Sequence, residues 1–438
     1  MRFAAWVSSS DRALTLAASQ IRLIRAVTPT NADAELAELA QAFRRETPRL
    51  PRWRYDAPPV PPELPRALDE LATFLENEPP LGPLYAARAR ELCLEAELVA
   101  AAGTPRLTAL ARERFLASVP PASEDMRNAD ELALAWTREP VTEDAQAPVP
   151  VPHARAKRTT GMVDGSAKTP ACAGDGGREM LIRSCDAKDP RSLLSRLASE
   201  VGRRHLPMRV SVQSGMASLA ATGDGVILVA QKKWLSRRDI ERTVLHEIEG
   251  HALPRARAAR APLALFAFGT ARGIDDQEGR AIAIEERAGF LDRGRQFELG
   301  CRHLAARATL DGADFTEIVG LLRSRGATTE ATLRIAARVQ RGSHGVGGLA
   351  REVVYLSARC KVGRLVGGPD GREIEQVMRG GRVAADVALH LAAVLSNEER
   401  GQRSGLGGHF CPSDSSNGDA SDTARRPRSD GFTGSKIL

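Results

Sequence analysis

The chain has 438 residues, with 62 Lys and Arg against 55 Asp and Glu, a net charge of +7 and a 42% hydrophobic content. That length suggests two or three domains, and the composition is ordinary for a soluble globular protein. The longest apolar run, Ala261–Gly269, contains a proline and is too short to cross a bilayer, so no membrane partner is expected.

Met1–Val7 gives way to Ser8, Ser9, Ser10, Asp11 and Arg12 without a signal-peptide core. The six cysteines, at 93, 172, 185, 301, 360 and 411, form no C-x-x-C pair. Together these predict a reduced, cytoplasmic protein. Of the basic residues 55 are arginine, but they are interleaved with acids and no five run together. Aromatics are 4%. Base-stacking platforms are therefore scarce, and no nucleic-acid partner is expected.

In chain order, residues 11–27 carry a helical stripe of Leu14, Ala17, Ile21 and Ile24. Ala32–Phe43 reads as a second helix. Thr47–Pro65, dense in proline, reads as an extended connector with Trp53 and Tyr55 packed down. Leu64–Glu76, Tyr85–Ala102 and Arg106–Ser118 read as further helices. These make residues 1–136 an N-terminal helical region.

Residues 137–189 are rich in Ala, Pro, Gly, Thr and Asp and read as a disordered insertion. A helix is expected from Pro190, capped by Asp189, to about Arg204. Two short strands follow, Met208–Gln213 and Gly225–Ala230. The second reads either as a core strand or as one that pairs with an extended substrate. Residues 399–438 lose apolar periodicity and read as a disordered tail. That leaves 190–398 as the catalytic region of a mainly helical α+β fold.

The chemistry lies in Ser236–His251, SRRDIERTVLHEIEGH. Ser236-x-x-Asp239 resembles a capping box that opens a helix. His246-Glu247 and His251 then form an H-E-x-x-x-H pattern. In a regular α-helix the fifth residue on is rotated by ~140°, so both rings would not reach one ion. A π-type turn reduces the offset. Gly250 is expected to let the backbone deform there, and Pro254 to stop the helix soon after. Two histidines need a third ligand. Glu278, in Asp275-Asp276-Gln277-Glu278, is the candidate, although Asp275-x-x-Glu278 also fits a capping box. Glu285 and Glu286, further along, are candidates to hold a histidine ring N–H or are simply solvated.

HEIEGH (His246–His251) with DQEGRA (Asp276–Ala281) resembles the bacterial flavohaemoglobin expression-modulating QEGLA-motif proteins. That family also contains the eukaryotic microtubule-associated tyrosine carboxypeptidases. Arg338–Gly342 and Arg351–Leu356 resemble its R-x-x-R-G and K-D-x-x-Y-L features. The leucine of QEGLA is Arg280 here, and Lys-Asp is Arg351-Glu352. The resemblance implies His246, His251 and Glu278 as ligands of one zinc ion and Glu247 as the catalytic carboxylate. It also implies a zinc metallopeptidase that trims a peptide or protein C-terminus, possibly aromatic.

A carboxypeptidase must hold a free carboxylate, which arginine does through paired donors. Arg338 and Arg341 are the candidates, with Tyr355 as an oxyanion donor or a core aromatic. The alternatives are a metal-binding regulator of gene expression without catalysis, and a metalloendopeptidase.

Overall fold

Helices carry most of the chain. The computed structural model describes residues 3–56, 60–117, 123–139, 181–223, 225–231 and 233–405. The greater part of the expected insertion, 140–180, and of the expected tail, 406–438, lies outside the described residues. Among the described residues no helix is long and apolar enough to cross a membrane.

The N-terminal helices are α1 (Ala5–Gln20), α2 (Leu23–Ala26), α3 (Ala32–Arg44), α4 (Leu64–Leu75), α5 (Gly82–Ala100), α6 (Arg106–Arg112) and α7 (Glu124–Trp136). The stripe expected over 11–27 is split between α1 and α2, because Ile21 leaves helical geometry (φ −81°, ψ 92°). Helix α7 was not foreseen. It is capped by Ser123, whose side chain accepts from the Met126 amide, and it buries Met126, Ala129 and Ala133. The proline-dense connector is pinned where expected. Tyr55 Oη donates to the Ser343 carbonyl at 2.8 Å, and Trp53 meets Phe315 edge-on.

Among the described residues five strands form two small sheets. β1 (Ile182–Arg183) pairs antiparallel with β5 (Trp234–Leu235). β2 (Arg209–Gln213), β3 (Ala220–Thr222) and β4 (Val226–Ala230) form a second sheet in the order β2-β4-β3. β4 runs parallel to β2 and antiparallel to β3. It is therefore central, with both edges taken, and is not the strand that could accept a substrate backbone. β1 also shows that 181–189, assigned to the insertion, is built into the fold.

The remaining helices are α8 (Leu193–Arg203), α9 (Arg237–Leu245), α10 (Leu253–Ala258), α11 (Leu265–Phe268), α12 (Gly273–Arg287), α13 (Arg293–Leu310), α14 (Phe315–Ser324), α15 (Thr329–Val339), α16 (Val353–Val366), α17 (Gly371–Met378) and α18 (Ala388–Gly405). α8 starts later than expected, with Ser192 as its cap. Asp189 instead folds back on Arg191, taking its amide and its guanidinium. α18 carries the helical chain through 399–405, into the stretch read as tail.

Three cores organise these elements. One joins Leu39, Leu98 and Leu107 to Phe297, Phe315 and Leu356. Another joins Leu14, Leu68 and Tyr85 to Phe266, Val383 and Leu391. The N-terminal helices thus share both interiors with the C-terminal half. The third core packs the sheet residues Ile227 and Val229 onto Leu193, Leu197, Ile240, Val244 and Ile248. It sets the sheet beside the H-E-x-x-x-H helix, as the α+β reading required.

One tight backbone approach near the motifs is between α12 and α16. A Cβ on Gly279 would lie 2.4 Å from the Ala358 carbonyl carbon and 2.5 Å from its oxygen. Both neighbours are backbone and have nowhere to go. Gly279→Ala is therefore expected to destabilise the fold by at least the ~1–3 kcal/mol typical of overpacking. Denaturant titration against the wild type measures it. An unchanged midpoint would show that the two helices can separate freely.

Candidate metal centre

The H-E-x-x-x-H segment folds as its spacing demands. Ser236 caps α9 by accepting from the Asp239 amide at 3.0 Å. α9 runs to Leu245, and His246–Ala252 is then a π-helical turn. Its signature is the Leu253 amide, which bonds to Ile248, five residues back. The wider turn brings the two rings together, with His246 Nε2 and His251 Nε2 3.2 Å apart.

One expectation about this turn needs correction and another a closer reading. Gly250 is not among the glycines with positive φ, so backbone freedom is not its contribution. A Cβ there would lie 2.7 Å from the Ala281 Cβ, and its absence lets the turn seat on α12. The helix does end soon after Pro254, at Ala258, but the proline itself does not break it. The proline sits in the first turn of α10, where a missing amide is tolerated.

α12 settles the ambiguity over Glu278. The helix begins at Gly273, after Arg272 in the left-handed region (φ 61°) with its amide on Glu91. Asp275 and Glu278 are therefore inside the helix and are not a capping pair. Asp275 pairs with Arg114 at 2.9 Å. Glu278 Oε2 lies 3.5 Å from His246 Nε2 and 3.6 Å from His251 Nε2. The three donor atoms all fall within 4.8 Å of one another.

The rest of the motif now has a physical reading. Gln277 Oε1 faces His251 Nδ1 at 3.1 Å. Gly279 clears α16, and Ala281 clears Gly250. On the other ring, Glu285 Oε1 faces His246 Nδ1 at 2.6 Å. Arg295 grips Glu285 at 3.0 and 3.2 Å and bonds Glu298 at 2.8 Å. Of the two acids considered for this role, Glu285 takes it, and Glu286 pairs with Arg359 on a more exposed face. With an acceptor at each Nδ1, a neutral ring would keep its proton there and turn an Nε2 lone pair to the centre. Two imidazole nitrogens and one carboxylate oxygen, converging and partly buried, fit a zinc ion.

Burial opposes charge on His246, but hydrogen bonds to Glu278 and Glu285 outweigh it and lift its pKa to about 10, so by itself the ring carries a second proton at neutral pH, which a bound metal ion would displace. Burial likewise opposes charge on Glu278, yet His251, His246 and Arg351 hold it well below the usual carboxylate range. The site is thus poised for a cation.

Glu247 is buried beside the rings, and its Oε2 accepts from Thr222 Oγ1 at 2.7 Å. Thr222 ends β3, the sheet edge nearest the π-turn. Sequence reasoning missed it, because a three-residue strand in Gly/Ala/Ser-rich chain has no readable periodicity. Arg351, also unassigned, donates to Glu278 Oε1 at 3.3 Å.

Arg338 and Arg341 are placed differently from expectation. Both bond the buried Glu352, Arg338 at 2.5 Å and Arg341 at 2.8 Å. Arg338 also donates to Tyr355 Oη at 3.3 Å, and Arg302 stacks on the Tyr355 ring at 4.4 Å. Two of the three nearby cations are thereby committed to an internal carboxylate. Burial would raise the Glu352 pKa, but Arg341, Arg338 and Arg302 bring it down to about 2.

Arg280, where the resembled family has leucine, points inward and is 4% exposed. In the i→i+5 register the Glu249 carbonyl would accept from residue 254, and a proline has no amide. Arg280 Nη1 donates to that carbonyl instead, at 3.1 Å. Its Nε has no partner, and Glu375 is 3.9 Å away. Burial lowers its pKa to about 10. The substitution at 280 and the proline at 254 thus answer each other.

A family model described as microtubule-associated tyrosine carboxypeptidase matches residues 179–386. Over those residues the chain is similar to this family. The matched stretch takes in both sheets, the π-turn, α12, α16 and all three residues of the candidate metal group. It leaves α1–α7 outside, although they share its cores. No curated protein matches the chain.

Two outcomes are expected. Arg280→Leu should weaken zinc binding by ~10–100-fold, the range for losing an outer-shell support. Adding Pro254→Ala should recover much of it, because an amide returns to the orphaned carbonyl. Additive effects in a competition titration would show that the two positions are independent. For Glu352, a depressed carboxylate pKa stabilises the fold above its unfolded value. That contribution is lost as pH falls from ~4.5 towards about 2. Glu352→Gln should therefore flatten the acid limb of the stability–pH curve. It should also cost ~3–5 kcal/mol at neutral pH by leaving buried arginines uncompensated.

Proposed function

We propose that the chain is a zinc-dependent carboxypeptidase that releases the C-terminal residue of a peptide or protein. The observation that carries the reading is a two-histidine, one-carboxylate group with a buried, hydroxyl-oriented Glu247 beside it, within a domain matching a carboxypeptidase family. Among the described residues no ion pair engages Glu247, and its carboxylate is held by the Thr222 hydroxyl. A metal site serving structure alone has no use for such a group, which disfavours the non-catalytic regulator.

Zinc bound by His246, His251 and Glu278 would polarise the scissile carbonyl and lower the pKa of the attacking water towards ~7. Glu247 would take the proton from that water and deliver it to the leaving amine nitrogen. Thr222 fixes the carboxylate for both transfers. Tyr355 accepts from Arg338, which leaves its own proton free to donate to the developing oxyanion. On this reading Arg338 and Arg341 position Glu352 and Tyr355 and do not touch the substrate. The edge of β3 pairs with the extended substrate backbone, next to Glu247. By the family's name, a C-terminal tyrosine or similar aromatic residue is the first substrate to try.

Elemental analysis of wild type, Glu278→Ala and Glu247→Gln, with mass spectrometry of peptides ending in different residues, tests the reading. One zinc per chain is expected in wild type and in Glu247→Gln, and much less in Glu278→Ala. Single C-terminal residues should be released by wild type and ~10²–10⁴-fold more slowly by Glu247→Gln. Folded wild type without zinc, or cleavage inside the peptides, would overturn it.

A further inference from the structure

Arg351 touches the metal group from outside. The carboxylate of Glu278 has two oxygens, and the fold gives them different partners. Oε2 faces both rings, 3.5 Å from His246 Nε2 and 3.6 Å from His251 Nε2. Oε1 accepts a hydrogen bond from Arg351 Nη2 at 3.3 Å. Among the described residues Glu278 is the acid that Arg351 pairs with. Two further acids lie near it, and each has cations of its own. Asp275 pairs with Arg114, and Glu352 with Arg338 and Arg341. Burial opposes charge on Arg351, but Tyr355, Glu278, Asp275 and Glu352 favour it and raise its pKa, so the guanidinium stays charged.

The chain on either side of Arg351 is anchored. The Leu349 amide donates to the Arg341 carbonyl at 2.9 Å, and the Ala350 amide to the Val339 carbonyl at 2.8 Å. Ala350 takes a left-handed φ of 50°. A side chain makes that conformation unfavourable, and it persists where neighbours impose it. Glu352 is fixed by Arg338 and Arg341, and α16 starts at the next residue, Val353. Consecutive residues are thus paired with different elements, Arg351 with α12 and Glu352 with the end of α15 and the turn after it. The blocks Arg338–Gly342 and Arg351–Leu356 share one effect: they fix the start of α16 opposite Glu278.

We propose that Arg351 is a positioning residue: by occupying Oε1 it leaves Glu278 a single oxygen, Oε2, for the metal. This deepens the zinc reading and rests on it. A carboxylate free at both oxygens can grip an ion with the pair, as calcium sites do. That would fill the position a catalytic zinc keeps open for water. With Oε1 engaged, His246, His251 and Glu278 supply one donor atom each.

Zinc is colourless, so cobalt(II) is the reporter. Its visible absorption is strong in a four-coordinate site and several-fold weaker when further ligands bind. The full chain, stripped of metal, is loaded with cobalt(II) as wild type, Arg351→Met, Arg351→Gln and Arg351→Lys. Met and Gln should lose several-fold in absorption per bound cobalt. Lys keeps a charged donor and should retain most of it. In competition titrations the zinc-to-manganese affinity ratio should fall ~10–100-fold in Met and Gln, the range for losing an outer-shell partner. Manganese accepts an added oxygen ligand more readily than zinc does. Arg351 is partly exposed, and the backbone bonds around it do not need its side chain, so the variants should fold. Circular dichroism checks this. Loss of charge alone would move both affinities together. An unchanged spectrum and ratio in folded Met and Gln variants would therefore overturn the assignment. Peptide cleavage is scored separately on zinc-loaded wild type. Cobalt bound without cleavage would remove the carboxypeptidase reading and leave the spectra to decide on Arg351. Folded wild type that binds neither zinc nor cobalt would overturn both.

Discussion

One extra residue between two histidines governs this domain. An α-helix would turn His251 away from His246. The π-turn over His246–Ala252 brings the Nε2 atoms to 3.2 Å, and everything around it serves to keep that turn. Gly250 and Ala281 let α12 approach so that Glu278 can reach the rings. Gly279 lets α12 sit equally close to α16, which carries Tyr355. The small residues of the two motifs are thus clearances between backbones, and the polar ones are the contacts those clearances permit.

The arginine-rich composition takes on another meaning inside the fold. Arg295 is buried against Glu285 and Glu298, Arg338 and Arg341 against Glu352, and Arg114 against Glu91, Glu95 and Asp275. The planar fork of the guanidinium suits such work, because it satisfies two acceptors in a fixed geometry. Each cluster braces an element that carries a site residue: Arg295 the His246 partner, Arg114 the start of α12, and Arg338 the Tyr355 hydroxyl. Much of the charge is therefore internal support and was indistinguishable from surface charge in the sequence.

What was legible in the sequence followed short-range rules. The spacing of His246 and His251 demanded a π-turn, and Ser236 announced the helix that leads into it. Glu285 and Glu286 were legible together as candidate ring partners, and only the fold tells them apart. Glu278 was ambiguous, because a ligand and a capping glutamate share one pattern. The start of α12 at Gly273, after a left-handed Arg272, resolved it, and nothing in the local sequence marks that start. Thr222 was invisible for a different reason: it acts through a fold-level neighbour, the π-turn. Arg338 and Arg341 were misplaced because Glu352, 14 and 11 residues on, takes them both.

The π-turn also changes how residues should be counted along this helix. A π-turn is an α-helix with one residue inserted, and it returns the chain downstream to its former phase. His251 therefore stands where the second histidine of the shorter H-E-x-x-H spacing would stand, and Arg255 keeps its place one turn below. The inserted residue is structurally a loop of one, and its mark is a carbonyl with no helical donor. In this chain that carbonyl belongs to Glu249, and a side chain from a neighbouring helix has grown into the gap. The helix and its neighbour are thereby stitched at the point where the backbone is widest, so residue 280 is free to vary only as far as residue 254 varies with it.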